Sequence, residues 1–313
     1  MLRICAFISL LFLATTGNAA SAEEVKPFFT LHELGSGVWA AVAVPGSHAG
    51  SNSGFVVGSE SVAVIDTFQT PAAAEALLAA IRKTTPLPVR YVIDTHYHLD
   101  HVAGNQVFAQ AGAVVMAQQN VRAWERSENL KFFGDKITPE QKQMVESLGL
   151  PSLTYRDGVM LDLGGRKLQV RVMPGHTGGD SVVIVPDADV VFTGDLFWDH
   201  TLPNLIDANT VQQINTNDTF LSDYPKAAFV PGHGEVGNAA DIRAFRGYLA
   251  ALRQAVADAR AAGKSGTALL DAALPGLKQK YGDWGYFDYF AEHNIEQTEA
   301  EINGTKKVPV PAQ

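Results

Sequence analysis

The sequence contains one cysteine, Cys5, and no apolar run that reaches the roughly 18 residues of a membrane-spanning helix. Cys5 lies in an N-terminal segment with an early positive charge, the apolar stretch "ICAFISLLFLA" and the small residues "ASA". This order of features predicts an export signal over residues 1–22, cleaved after Ala22 or, alternatively, after Ala19. The mature chain would then have no thiol, no disulfide and no integral membrane segment, and would be periplasmic or secreted.

Positive charge is also scarce. The chain has 24 Lys and Arg against 33 Asp and Glu, which gives a formal net charge of −9. This balance argues against nucleic acid as the partner, so we expect a small-molecule substrate instead. No Pro/Gly-rich linker divides the chain. We therefore expect one catalytic domain over residues 23–262 and a helical C-terminal extension over residues 263–313; the sequence leaves the oligomeric state open.

Two β-rich regions, each followed by helical sequence, make up most of the chain. The first contains the strand segment "SGFVVGSESVAVIDT", the helix "PAAAEALLAAIRKTT" and the buried strand "VRYVIDTH", with a short helix from about Val102. The second, residues 157–197, is β throughout and has a hairpin turn at Gly164–Gly165. A further strand, "AAFVPGHG", precedes a long amphipathic helix that ends at Gly263. This order predicts a sandwich of two sheets with helices outside.

Three imidazoles and a carboxylate lie within six positions of the stretch "THYHLDHVAGN", namely His96, His98, Asp100 and His101. The stretch follows a predicted strand directly, so we place these side chains on the loop that leaves it. Imidazole nitrogens and carboxylate oxygens are good ligands for zinc and similar divalent ions. Residues two apart can converge on a loop, whereas on a helix they would lie on different faces. The spacing therefore favours a metal-binding loop.

Three further residues of the same types follow predicted strands and stand beside glycines, which allow the backbone to approach a ligand closely. They are His176 in "MPGHTGGDS", Asp195 in "VFTGDLFW" and His233 in "FVPGHGE". The total of five histidines and two aspartates suits two metal ions. The histidines without such a motif, which we expect on the surface, are His32, His48 and His293.

The motifs "HYHLDH", "PGHTGGD", "TGDLF" and "PGHG", in this order, resemble those of the metallo-β-lactamase superfamily over roughly residues 30 to 240. The resemblance implies an α/β fold, the four-layer αββα metallo-β-lactamase sandwich, with metals at one edge between the sheets. Two Zn²⁺ ions are expected, with iron or manganese as alternatives. The implied ligands are His96, His98 and His176 for the first metal, Asp100, His101 and His233 for the second, and Asp195 bridging both.

The reaction that this resemblance implies is metal-assisted hydrolysis. Zinc lowers the pKa of a bound water from 15.7 to about 7, so a bridging hydroxide could attack a carbonyl at neutral pH. Asp100 is expected to take the proton of the attacking water or to serve the leaving group. The substrate could be a β-lactam, lactone, ester or thioester. A carboxylate at Asp195 resembles glyoxalase II and lactonases, whereas zinc β-lactamases place Cys or Ser there; the predicted export favours a β-lactamase.

Two other classes share these ligands. A phosphodiesterase or nuclease of the same superfamily would need cationic groups that bind phosphate, and the net charge argues against it. A non-catalytic metal-binding protein would need the open metal position to be blocked.

Supporting carboxylates usually accept the second N–H of a ligand imidazole, and the candidates are Asp66, Asp94 and Asp180. The candidate pocket residues are Tyr97, Trp198 and His200, with Phe132, Phe133 and Phe197 as further aromatic walls.

Overall fold

The computed structural model describes residues 26–310, so the predicted export signal and Cys5 lie outside the described residues. The first sheet has the spatial order β1 to β7, antiparallel from β1 to β4 and parallel from β4 to β7. Its strands are β1 (Phe29–Gly35), β2 (Val38–Ala43), β3 (Ser53–Val57), β4 (Val62–Ile65), β5 (Val89–Ile93), β6 (Val114–Gln118) and β7 (Leu153–Tyr155).

The second sheet has the order β12-β11-β10-β9-β8 and is antiparallel except between β11 and β12. Its strands are β8 (Gly158–Asp162), β9 (Lys167–Val172), β10 (Ser181–Val185), β11 (Val190–Trp198) and β12 (Ala228–His233). The predicted hairpin turn between β8 and β9 is confirmed. Gly164 and Gly165 both have positive φ there, 88° and 73°, which glycine adopts without steric cost.

Nine α-helices complete the described range. They are α1 (Pro71–Thr84), α2 (Leu99–Val102), α3 (Asn105–Gln110), α4 (Gln119–Phe133), α5 (Pro139–Glu146), α6 (Thr210–Asp223), α7 (Ala239–Ala261), α8 (Thr267–Tyr281) and α9 (Phe287–Asn303). No helix within residues 26–310 combines the length and hydropathy needed to cross a bilayer.

The prediction of a loop through the whole His-rich stretch is wrong in its second half. The chain becomes helical at Leu99, so Asp100 and His101 lie in α2, and a second helix starts at Asn105 and not at about Val102. A carboxylate in the first turn of a helix is favoured by the partial positive charge of the helix N-terminus, as for Asp100. His96 and His98 remain outside α2, as predicted.

The two sheets pack face to face around a shared apolar core, with Ile93 of the first sheet and Phe192 and Val230 of the second among its members. The helices α1 and α3 cover the outer face of the first sheet. The outer face of the second sheet packs against helices in a cluster that includes Phe229 of β12, Phe220 of α6 and Phe245 of α7. The αββα sandwich is therefore confirmed. The C-terminal helices α8 and α9 contribute buried side chains to that same outer cluster.

Asn52 joins the two sheets at one edge. Its backbone N–H donates to Gly232 O at 2.7 Å, and its Nδ2 donates to Pro231 O at 3.0 Å and Gly234 O at 2.9 Å. Asn52 precedes β3, whereas its acceptors lie at the end of β12. These bonds fix the segment around His233 to the first sheet, which carries the His-rich stretch after β5.

Candidate metal centre

Four side chains from both sheets bring their ligand atoms within 4.8 Å of one another, a group that could hold a metal ion. His98 Nδ1 lies 3.1 Å from His96 Nε2 and 3.0 Å from His176 Nε2. Asp195 Oδ2 lies 3.2 Å from His176 Nε2 and 3.6 Å from His96 Nε2. The group contains the four residues predicted to hold or bridge to the first metal.

A second group that could hold a metal consists of Asp100, His101 and His233. Asp100 Oδ2 lies 3.7 Å from His101 Nε2 and 3.2 Å from His233 Nε2. The other oxygen of Asp195, Oδ1, lies 3.2 Å from His101 Nε2 and 3.5 Å from His233 Nε2. The carboxylate of Asp195 therefore faces the first group with one oxygen and the second group with the other, as expected for a bridging ligand.

The spacing of these atoms fits divalent metals. Ligand atoms bound tetrahedrally to zinc at ~2.0–2.1 Å lie about 3.3 Å apart, close to the separations in both groups. His101 Nε2, His233 Nε2 and Asp195 Oδ1 are buried and have no hydrogen-bond partner in the part of the chain that the structure describes. Buried polar atoms without partners are costly, and a metal ion would satisfy all three.

Glycines make room for the shared carboxylate. A side-chain Cβ at position 232 would overlap Asp195 Oδ1, so only glycine fits there. Gly194, which precedes Asp195 in β11, has a φ of 51° and packs against Thr95. On the other side, Gln213 of α6 donates from Nε2 to the carbonyl of Asp195 at 3.0 Å. Gln213 therefore holds the backbone of Asp195 in place, and the neighbouring glycines leave space for its carboxylate.

The charges of the site attract cations. Burial opposes the ionised form of Asp195, but the imidazoles around it, His101 above all, hold the pKa of this carboxyl well below its usual range. Burial likewise opposes the charged form of His101, but Asp195, Asp100 and Asp66 outweigh it and raise the pKa of His101. A divalent metal would replace the protons that these carboxylates draw to the imidazoles.

A family model described as the metallo-beta-lactamase superfamily matches residues 47–242, more than half of the chain, including both groups of ligand-type residues. The chain belongs to this superfamily. A solved metallo-beta-lactamase from Pontibacter korlensis superposes with a TM-score of 0.60 and 25% identity, covering 71% of this chain and 99% of that one. The His/Asp cluster typical of the superfamily implies that this member binds divalent metal.

Curated relatives of this superfamily member are hydrolases with different names. The type 2 metallo-beta-lactamase of Bacteroides fragilis is 23% identical over 192 residues, 60% of this chain and 70% of the relative. The hydroxyacylglutathione hydrolase of Brucella anthropi is 28% identical over 149 residues, 47% of each chain. A linear primary-alkylsulfatase of a Pseudomonas species is 23% identical over 175 residues, 47% of this chain. The matches span about half of the second relative and 33% of the third.

One carboxylate, Asp66, holds two of the ligand-type imidazoles, His101 directly and His96 through Thr95. Asp66 Oδ2 lies 2.8 Å from His101 Nδ1, which is the contact predicted for a supporting carboxylate. Asp66 also accepts bonds from the backbone N–H and the hydroxyl of Thr95, both at 2.8 Å. The same hydroxyl oxygen lies 3.0 Å from His96 Nδ1. Both imidazoles therefore turn their Nε2 atoms toward the site.

Asp94 and Asp180 are buried close to the site but do not bond to an imidazole. Asp180 accepts the backbone N–H groups of Gly175, His176 and Thr177, at 2.8–3.0 Å, and burial raises the pKa of Asp180 to about 6. It therefore shapes the turn that carries His176, which is the turn chemistry that a short carboxyl side chain favours. Asp94 accepts from Asn105 Nδ2 at 3.0 Å.

A further carboxylate, Asp207, escapes sequence reasoning. Its Oδ2 lies 3.2 Å from His98 Nε2 and accepts the phenolic hydrogen of Tyr97. Burial opposes its ionisation, but the bonds with His98 and Tyr97 hold the pKa of Asp207 below its usual range. The surrounding stretch "PNLIDAN" carries no motif. Asp207 and His98 are 109 positions apart in the sequence, so no local pattern links them.

A cavity of about 560 Å³ opens onto both groups. Tyr97 and Trp198 line it, as predicted, and so do Phe132 and Phe133. His200 does not line it; this side chain is 56% exposed and lies 2.7 Å from Asp199. Phe197 is also absent from the lining and packs against Phe245 in the core. Successive strand residues point to opposite faces, so Trp198 and Phe197 cannot both face the cavity.

Proposed function

We propose that the protein is an exported, dinuclear zinc hydrolase that cleaves a small carbonyl compound: a β-lactam, lactone, ester or thioester. One observation carries the proposal, namely that the two oxygens of Asp195 face two separate groups of ligand-type residues at 3.2–3.6 Å. A carboxylate so placed can be shared between two metals that act on one substrate. The export signal predicted over residues 1–22 supports a periplasmic or secreted location.

The metals and the side chains of the protein would contribute different parts of the reaction. Bound zinc ions would supply a nucleophilic oxygen at neutral pH and polarise the scissile bond. Asp100 lines the cavity and, at 29% exposure, is the most accessible of the seven ligand-type side chains. The imidazoles of His101 and His233 hold the pKa of Asp100 low although burial opposes this. Asp100 is therefore ionised and within reach of substrate, and we assign to it the transfer of the proton between the attacking water and the leaving group.

The charges of the cavity favour a carbonyl substrate over a phosphodiester. Among residues 26–310, two Lys or Arg side chains line it, Lys131 and Lys307, and Lys131 is paired with Glu128 at 2.6 Å. Asp207 adds a further negative charge beside the ligand groups. Phosphoryl transfer relies on cations clamped around the phosphate oxygens, which this lining does not provide beyond the metals themselves. A neutral or singly charged carbonyl compound suits these walls better.

The test is a hydrolysis panel on zinc-loaded protein starting at residue 23. The relatives are named for a β-lactam, a hydroxyacylglutathione and a primary alkyl sulfate, so the panel holds a chromogenic cephalosporin, a thioester, a lactone, an aryl ester and an alkyl sulfate. A phosphodiester is the negative comparison. We expect one carbonyl substrate to reach a kcat/KM in the common enzyme range of roughly 10⁴–10⁸ M⁻¹s⁻¹.

Two controls accompany the panel. Asp195→Ala should bind one metal ion or fewer and lose turnover, whereas Asp218→Ala changes an exposed carboxylate on α6 and should retain both. Full metal binding and turnover in Asp195→Ala would contradict the ligand assignment. Two bound metals with no turnover of any substrate would indicate a non-catalytic metal-binding protein, and turnover of the phosphodiester alone would favour the phosphodiesterase class.

A further inference from the structure

The cavity has aromatic walls on two sides, and one of them comes from the C-terminal extension. Phe132 and Phe133, at the end of α4, form the first wall. Tyr286, Tyr289 and Phe290, at the start of α9, form the second. The second wall lies outside residues 47–242, the span that matches the superfamily model. The extension therefore adds to the site something that the matched segment does not contain.

The second wall is continuous with the metal centre. Trp198, which stacks on His233, contacts both Phe290 and Tyr286 edge-to-face, with ring centroids 6.2 and 6.3 Å apart. Phe290 in turn contacts Tyr289, with centroids 4.7 Å apart. An unbroken aromatic surface thus leads from a metal-ligand imidazole to the mouth of the cavity.

Large aromatic side chains at this mouth are unusually accessible. Tyr289 is 76% exposed, Phe132 63% and Tyr286 53%. Exposed apolar side chains are normal when scattered singly, but a group of them around a cavity marks a binding surface. Pockets of about 300–1,000 Å³ that bind small molecules are typically lined by such residues, and this cavity lies within that range.

The wall is held firmly against the loop that follows β11. Asn294 of α9 donates from Nδ2 to Pro203 O at 2.9 Å and accepts from Leu205 N at 3.3 Å. Beyond α9, Lys306 donates from Nζ to Leu205 O at 2.6 Å and also to Ala208 O. These bonds tie the middle of α9 and Lys306 beyond its end to one short segment beside the metal centre. The aromatic wall is therefore in place before a substrate arrives.

We propose that α9 selects the substrate: the carbonyl compound carries an apolar group, an acyl chain or an aryl ring, that packs between Phe132 and Tyr289. This inference rests on the proposed function and specifies its substrate class. The group next to the scissile carbonyl would lie against Trp198 and Phe290, and its far end would reach the two exposed rings. The relatives need not share this preference, because the second wall lies outside the matched segment.

Binding of unreactive amides tests the inference without requiring turnover. Acetamide, butanamide, hexanamide and phenylacetamide are titrated into the zinc-loaded protein from residue 23, with binding followed calorimetrically. Each buried methylene should tighten binding about fourfold, or ~200-fold from acetamide to hexanamide. The tighter of hexanamide and phenylacetamide identifies the apolar group as a chain or a ring.

The Tyr289→Ala and Phe132→Ala variants should each lose about tenfold in hexanamide or phenylacetamide affinity and leave acetamide affinity unchanged. Met160→Ala removes a 57% exposed apolar side chain from β8, away from the cavity lining, and should bind like the native protein. A flat amide series, or an unchanged series in both aromatic variants, would overturn the inference. Chain-dependent amide binding without hydrolysis of any panel substrate would instead reject the proposed function and leave the binding site standing.

Discussion

The indole of Trp198 stacks on the imidazole of His233, with ring centroids 3.8 Å apart and planes inclined by 29°. Trp198 is 3% exposed, so the stack is buried at the inner end of the cavity. His233 Nε2 faces both Asp100 and Asp195, and the orientation of its ring decides whether these distances are kept. The indole therefore acts as a flat support for a ligand-type imidazole.

Replacing Trp198 by Leu should loosen His233 and weaken the metal site that contains it. Groups that orient metal ligands contribute about 10–100-fold in affinity, and we expect a loss near tenfold. Competition with a chromophoric chelator measures the affinity of each metal. Trp284→Leu removes an indole that packs on His200 and Tyr281, away from the cavity lining. Equal metal affinities in the two variants would mean that the stack has no role.

Replacing Asp207 by Asn should weaken the first metal site. The amide has the size of the carboxyl group but loses the charge that His98 and Tyr97 contact. We expect the affinity of the metal bound by His98 to fall ~10–100-fold, with little change in melting temperature. Asp218→Asn is the matched control, since its carboxylate pairs with Arg246 on the surface. A native metal affinity in Asp207→Asn would show that the charge of Asp207 has no role in the first metal site.

Replacing Gly232 by Ala should displace the carboxylate of Asp195, because the added methyl group would overlap Oδ1. We expect a folded protein that binds fewer than two metals, measured by elemental analysis after gel filtration. Gly276→Ala, in α8, is the control, since a Cβ there meets no atom within 4 Å. That control should be slightly more stable than the native protein, by ~1 kcal/mol. Two metals retained in Gly232→Ala would show that Asp195 can move without leaving the metals.

The Glu125 and Asp94 carboxyl groups are both fully buried. Burial first, and then neighbouring carboxylates, raises the pKa of each. Apart from the carboxyl group of Asp94, no hydrogen-bond donor reaches either oxygen of Glu125 among residues 26–310. Between the ordinary glutamate value of 4.5 and the raised value, the folded protein holds more protons than the unfolded chain. The free energy of unfolding therefore falls as the pH rises through this window.

Replacing Glu125 by Gln removes the titration of this side chain and gives Asp94 a hydrogen-bond donor at every pH. The variant should gain little stability at pH 5 and on the order of 1 kcal/mol at pH 8, measured by denaturant unfolding. Glu75→Gln, on the exposed face of α1, is the comparison and should shift stability equally at both pH values. A gain that is larger at pH 5 than at pH 8 would contradict the expected fall in the free energy of unfolding with rising pH.

The seven ligand-type residues could be predicted because they lie in short motifs of histidine, aspartate and glycine. His96, His98 and their neighbours are close in sequence, and the others stand beside glycines at predicted strands. Asp207 could not be predicted, since it meets His98 across 109 positions of chain. That contact depends on the path of the loop after β11, which no local pattern encodes.

The helix α6 also gives little sequence signal, for a physical reason. Its segment "TVQQINTNDTF" is rich in Asn and Thr, which are poor helix formers. Its buried face is polar: Gln213 Nε2 donates to Asp195 O, and Asn217 Nδ2 donates to Leu196 O at 2.9 Å. Because α6 donates hydrogen bonds from polar side chains to the backbone of β11, it lacks the apolar periodicity from which helices are predicted. The amphipathic helix α7 was predictable on that ground.

The bonds from Lys306 to the segment beside Asp207 have a consequence for biosynthesis. Lys306 follows His96 by about 210 positions, and translation proceeds at ~5–20 residues per second. Roughly 10–40 s therefore separate the appearance of the first ligand-type histidine from that of the lysine that anchors the loop. A nascent chain would present its imidazoles and carboxylates well before their surroundings are complete, so a finished metal site is a late product of synthesis. Metal supply would matter most after translation, in the compartment where the folded protein resides.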